Sequence, residues 1–247
     1  MVQSVSKAGH KFQKLVTERG LIEAFQIVGR SALQRLIKIL LRIGGTATDK
    51  IVVQNGVAVR QKALLTPNVY PNHELDLIIA MRDYLAPAQE VVLIGGGRGA
   101  STVVACHCVT KAGHVTTFEA SSTSIPSIND TIDLNCVSDY VTVIHGIVGD
   151  GIAITGEAGN ARIVSPTDLP QCDALVMDCE GAEVGILDEM TIMPDLIIVE
   201  IHPHFDATQQ RVSDILDRKG YTIDRVVDIR KVGVPILVAM RSKESVS

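Results

Sequence analysis

The chain has 247 residues, enough for one α/β domain with an extension or for two small domains. A hydrophobic content of 46% permits a sizeable core and argues against long disorder, while 3% aromatics, with no Trp, argue against stacking platforms for single-stranded nucleic acid. The formal charge of −5 is unevenly spread: residues 1–45 hold eight Lys/Arg against Glu18 and Glu23, leaving 15 of the 23 basic and 26 of the 28 acidic residues for the rest. An acidic body of this kind does not suit nucleic acid, and the basic arm suits an anionic surface.

Residues 11–43 carry apolar positions at helical spacing (Leu15, Leu21, Ile22, Phe25, Val28, Leu33, Leu36, Ile37, Leu40), broken near Gly20 and Gly29 into two or three helices. Charges interrupt every apolar run short of the ~20 residues a spanning helix needs, and no signal-peptide core is present. We therefore expect residues 1–48 to form a basic amphipathic helical extension. Its segment 31–42 (SALQRLIKILLR) would cap the domain, pair with a second copy in a homodimer, or lie on a membrane surface.

A second region, 49–247, should form the main domain. It opens with residues 49–70, a hairpin and a linker: Asn55-Gly56 between apolar runs is a strong hairpin signal, and Thr66-Pro67 to Pro71 reads as the connection. A helix from Asn72 or His73 to Leu85 follows. Val91–Ile94 then reads as a buried strand, Gly95, Gly97 and Gly99 as a turn, Ser101 and Thr102 as a helix opening, and Val115–Glu119 as a second strand. Glycines let a ligand lie on the main chain, the helix N-terminus presents free N–H groups, and an acid roughly 20 residues on reaches ribose hydroxyls. This is the pattern of a nucleoside-cofactor site.

The odd count of five cysteines, scattered through core elements, fits reduced thiols and a cytoplasmic location. Cys106 and Cys108 flank His107, but positions i and i+2 of a helix face different ways, so packing is expected there. A polar loop (Ala120–Ser124), a helix to about Cys136 and a third strand (Tyr140–His145) come next. Residues 146–171 read as an irregular excursion, with a short hairpin near 153–162. Cys172–Asp178 and Asp195–Ile201 are the fourth and fifth strands, flanking a short helix at Ala182–Met190. After a helix at Ala207–Lys219, strands Tyr221–Asp228 and Val234–Arg241 are joined by too short a link for a crossover, so they must be antiparallel.

The expected fold is thus α/β: a Rossmann-like, seven-stranded, mostly parallel sheet with a C-terminal antiparallel hairpin, helices on both faces and an N-terminal helical extension. Four segments, VVLIGGGRG (91–99), VTTFEAS (115–121) with Asn135 downstream, ALVMDCEGAEVGIL (174–187) and LIIVEIHP (196–203), resemble the FkbM-type family of class I S-adenosylmethionine-dependent methyltransferases. The D-x-E-G-x-E run is the most telling. The resemblance covers about residue 70 to the C-terminus and implies S-adenosylmethionine as cofactor. It implies contacts from Gly95, Gly97, Gly99, Glu119 with its neighbour Ala120, the region 146–150 including Asp150, and Asp178. It also implies O-methylation of a hydroxyl on a sugar, glycan or related small molecule.

Two positions depart from the family pattern. Leu93 stands where an acid is usual, and Val176 where Lys is usual. The first removes an anchor for the glycine loop, the second a cation that orients carboxylates.

Hydroxyl methylation needs an acceptor held in line and a proton acceptor. Asp178, Glu180 and His202 are the expected catalytic residues, with Glu183, Glu200 and His204 also ionisable near the strand ends. Glu183 equally suits the N-terminus of its helix. A divalent cation among Asp178, Glu200 and His202 would lower the acceptor's pKa, but carboxylates suffice by themselves, so no metal is assigned. Two other readings compete. The run Gly95-x-Gly97-x-x-Ala100 also fits an NAD-dependent oxidoreductase, against which stand the closing hairpin and the lack of a second mononucleotide half. The other is a non-catalytic scaffold, which Leu93 and Val176 would permit.

Overall fold

The computed structural model describes residues 49–62, 68–150, 156–229 and 233–242. The chain divides into two compact units, 1–49 with 62–66 and 50–61 with 67–247. The first unit, and with it the expected amphipathic helices and segment 31–42, lies almost wholly outside the described residues.

The described chain begins with β1 (Asp49–Gln54) and β2 (Val57–Lys62), turning at Asn55 and Gly56 with φ of 50° and 89°. Positive φ at both turn residues is the hairpin geometry expected of Asn-Gly. The stretch expected as a plain linker contains a short strand, β3 (Val69–Tyr70), which pairs parallel to β1 in a three-stranded sheet ordered β2-β1-β3. Local pattern missed it because two residues carry no periodicity. The hairpin belongs to the core: Val52, Val57 and Val59 are fully buried with Leu77 and Met81 of α1 (Leu75–Tyr84). Arg82 donates to the carbonyl of Asn55 at 2.5 Å, and the Asn55 amide donates to that of His73.

The main sheet has eight strands. At its centre β4 (Glu90–Ile94) pairs parallel with β5 (His114–Glu119) on one side and β8 (Ala174–Met177) on the other. Beyond β5 lies β6 (Val141–Val148), and beyond β8 lies β9 (Leu196–Glu200), both parallel. β11 (Ile236–Arg241) runs antiparallel to β9, and β10 (Tyr221–Val227) antiparallel to β11. The closing antiparallel pair and the mixed sheet stand as expected. The strand count does not: β7 (Arg162–Val164) adds an eighth, pairing parallel with the edge of β6 inside the stretch read as irregular. The third strand also runs on to Val148, so Gly146 lies within it, paired with Arg162.

The central strands are apolar on both faces, as strands covered by helices on both sides must be. Val91, Leu93, Val176 and Ile198 face α1, α2 (Ala100–Val109) and α3 (Ile125–Leu134), which contribute Leu77, Val103, Val104, Ile128 and Ile132. Val92, Ile94, Leu175, Met177, Ile197 and Val199 face α4 (Glu183–Glu189) and α5 (Gln209–Arg218) through Ile186, Leu187, Val212 and Leu216. Cys106 is packed in the first of these layers, and burial pushes its thiol up to about 12. Asn135, at the end of α3, accepts from Ala58 N at 3.0 Å and donates to Ala58 O at 2.8 Å, binding the small sheet as a strand neighbour would.

Candidate active site

The chain leaves β4 for β5 and β6 on one side, then returns to β8 on the other. The carboxyl ends of β4 and β8 therefore flank the topological switch point, where open α/β sheets bind ligands. Gly95 leaves β4 with φ of 97°, and a Cβ there would stand 1.9 Å from the carbonyl oxygen of Asp178. Only glycine lets the loop touch the end of β8 so closely. Gly96 is packed against Thr117 and Ile128, and Gly99 against Ile128 and Thr131. Gly97, at φ of 54°, has no atom within 4 Å of where its Cβ would be. The three alternate glycines thus differ: one touches β8, one opens outward, one seats the loop against α3.

Glu119 ends β5, buried to 7% exposure. Its Oε2 accepts from Gly97 N at 2.8 Å and its Oε1 from Ser121 N at 2.7 Å. The carboxylate clamps the glycine loop to the loop after β5, and each oxygen keeps a further lone pair for a ligand hydroxyl. Ala120 lies between them, half-buried. The returning segment closes this side, since Ser122 N and Oγ both donate to Glu157 O at 2.8 Å. Asp150 sits in the turn after β6, exposed. Ser121 and the 156–159 segment lie in stretches the sequence marks only as loops, and their contacts carry no local signal.

Across the switch point the D-x-E-G-x-E run folds into a tight turn. Glu180 has φ of 45° and Gly181 φ of 108°, and a Cβ on Gly181 would meet Phe205 at 2.7 Å. The reversal brings Glu183, the first residue of α4 and fully buried, back under the turn. Its Oε1 accepts from Gly181 N at 3.1 Å and from His202 Nδ1 at 2.6 Å. His202, just past β9, presents its Nε2 to Asp178 Oδ1 at 3.7 Å. One carboxylate oxygen of Glu200, at the end of β9, joins these two residues' ligand atoms within a span of 4.8 Å. Glu180 is half-buried in the turn, while His204 is exposed beyond the group.

Burial, then Glu74, pushes the Asp178 carboxyl up to about 7, with His202 opposing and Glu180 and Glu183 adding to the rise. Burial pulls the His202 imidazole down, but the Glu183 hydrogen bond and charge, with Asp178 and Glu200, outweigh it and hold it above its usual value. Burial likewise holds the Cys179 thiol well above its ordinary value. In sequence Glu183 is equally an ionisable residue near the strand ends and a helix-terminal acid. Its hold on His202 had no local signal, because the two residues are 19 apart and meet only through the adjacency of β8 and β9.

Leu93 and Val176, the two departures from the family pattern, are register partners on β4 and β8, exposed 1% and 0%. They form one apolar contact where the family pattern would place an acid beside a lysine.

No family model matches the sequence, and no curated protein matches it. Solved structures do. The chain is similar to TYW2 of Pyrococcus horikoshii in complex with MeSAdo, with 15% identity and a TM-score of 0.52 over 81% of this chain and 74% of that one. It is also similar to precorrin-6y C5,15-methyltransferase of Geobacter metallireducens GS-15, with 16% identity and a TM-score of 0.50 over 80% of this chain and 98% of that one. A ribosomal protein L11 methylase of Lactobacillus delbrueckii subsp. bulgaricus gives 12% identity and a TM-score of 0.50 over 70% of this chain and 80% of that one. These likenesses establish the fold as the Rossmann-like α/β one those proteins share.

Proposed function

We propose that this chain is an S-adenosylmethionine-dependent methyltransferase of the FkbM type, acting on a hydroxyl of a sugar, glycan or related small molecule. The observation that carries the reading is the glycine loop. Gly97 opens outward, Glu119 holds the loop with lone pairs to spare, and Gly95 sets it against Asp178 at the switch point. A buried carboxylate beside an open stretch of backbone fits the ribose and methionine portion of such a cofactor. Two of the solved likenesses are named a methyltransferase and a methylase, which supports the same reading, as does the antiparallel β10–β11 closure, which an ordinary dinucleotide fold lacks.

When bound, the cofactor's sulfonium supplies the methyl group. The chain's own task is to hold the acceptor in line and take its proton. Asp178 and His202 form the acceptor side, and Glu180, in the turn two residues on, supplies the carboxylate that takes the proton. Ala120 and Asp150 line the ribose and adenine side. The hydroxyl preference rests on the resemblance of the D-x-E-G-x-E and E-I-H-P runs, since the solved likenesses have other names and other acceptors.

Calorimetry with S-adenosylmethionine and NAD, on wild type and on Glu119→Ala, tests the reading. Micromolar S-adenosylmethionine binding that the substitution weakens at least tenfold, with NAD silent, is the expected result. NAD binding alone would make the chain an oxidoreductase, and silence from both would leave a scaffold.

A further inference from the structure

We propose that Asp178, Glu200 and His202 form a binding site for one divalent cation of the Mn2+ or Mg2+ class. The inference deepens the methyltransferase reading, on which it rests for its role beside the acceptor.

Glu183 fixes the tautomer of the imidazole. A carboxylate can only accept, so the 2.6 Å contact makes His202 Nδ1 the donor to Glu183. With the ring neutral and Asp178 ionised, Nε2 carries the lone pair and faces an acceptor, Asp178 Oδ1, at 3.7 Å. That separation is too long for a hydrogen bond. Two ligands of a common ion at roughly 2.1 Å stand about 3 Å apart at right angles and about 3.4 Å apart at the tetrahedral angle, so this pair needs to close by only a few tenths of an ångström to share one. The Glu200 oxygen completes a set whose ligand atoms all lie within 4.8 Å of one another.

The surroundings are those of a ligand group with its supporting partner. Histidines that bind metals donate their other ring N–H to a carboxylate, which fixes the tautomer. Glu183 accepts that N–H from a fully buried position, and its second oxygen, also buried, takes no hydrogen bond among the described residues. A buried carboxylate held on one side only is a costly arrangement unless positive charge is nearby. Two oxygens and one imidazole nitrogen suit a hard or borderline ion, and three protein ligands leave positions open for water and an acceptor hydroxyl. The carbonyl of Asp178 packs on Gly95, which puts the ion at the mouth of the cofactor loop.

The test is Mn2+ titration of the full-length, chelator-stripped protein, followed by electron paramagnetic resonance and calorimetry. One ion per chain is expected, with affinity falling at least tenfold in Glu200→Gln and His202→Asn and by about 10–100-fold in Glu183→Gln. Circular dichroism confirms that each variant folds. Substoichiometric Mn2+ added to histidine-labelled wild type should broaden the His202 ring signals before those of the other six histidines. Two results would overturn the site: no binding by wild type, with both ring nitrogens of His202 protonated in an ion pair, or binding that leaves Glu200→Gln, His202→Asn and the His202 signals untouched. S-adenosylmethionine binding, measured separately, keeps the two readings apart. Mn2+ without it sinks the methyltransferase reading alone, and the cofactor without Mn2+ sinks the metal site alone.

Discussion

Gly95 and Gly97 lie two residues apart in one loop and answer to different constraints. At Gly95 any side chain meets the Asp178 carbonyl at 1.9 Å, and the φ of 97° is itself unfavourable for other residues. Gly95→Ala should therefore push the loop off β8. We expect a fall in stability of about 1–3 kcal/mol from the backbone alone, together with loss of cofactor binding. Gly97 points into open space, and its φ of 54° costs an alanine only about 1–2 kcal/mol. Gly97→Ala should keep the fold, by circular dichroism and thermal unfolding, while weakening S-adenosylmethionine at least tenfold. Unchanged affinity in Gly97→Ala would mean the cofactor does not lie on this residue.

At the scale of elements, β4 and β8 decide what Leu93 and Val176 mean. Each position read alone is a departure from the pattern the sequence resembles. Their register pairing makes them one apolar contact in a layer with Val91 and Ile198. Placing an acid at Leu93 by itself would bury a charge among aliphatic side chains. Such a charge destabilises by about 3–5 kcal/mol, or roughly 10 °C in Tm for a chain of this size. Leu93→Asp should show that fall in a thermal melt, and Leu93→Asp/Val176→Lys should recover part of it by supplying the neighbour's cation. A double variant no better than the sum of the two singles would show that the positions are not coupled. The apolar pair makes the glycine loop depend on Glu119 and on its seat against Asp178, α3 and Thr117, which is why those contacts hold the site together.

For the whole molecule, the uneven charge is the property the fold leaves unexplained. None of the described helices is long and apolar enough to cross a membrane. The excess of eight basic over two acidic residues in 1–45 would instead draw the chain to an anionic surface, and with it an acceptor presented there. Full-length protein should sediment with vesicles containing anionic lipid and be released by raised salt, while a chain lacking residues 1–45 should stay in the supernatant. Equal sedimentation of both would remove the N-terminal segment from any membrane role.

The sequence by itself determined the parts that depend on local backbone and burial. Continuous apolar runs announced strands buried on both faces, the glycines announced the turn after β4, and the short link before Ile236 required an antiparallel closure. Asp178, Glu119 and His202 could be placed at strand ends for the same reason: each directly follows or closes an apolar run. Only the tertiary structure decided which of these ends meet. Glu183 reaches His202, and Leu93 reaches Val176, because the crossovers put β8 between β4 and β9, an ordering no local pattern encodes. β3 and β7 were equally hidden, since strands of two and three residues are fixed by a pre-existing edge and not by their own periodicity. The chemistry of the site follows from that ordering: side chains far apart in sequence become neighbours only when register and strand order are set.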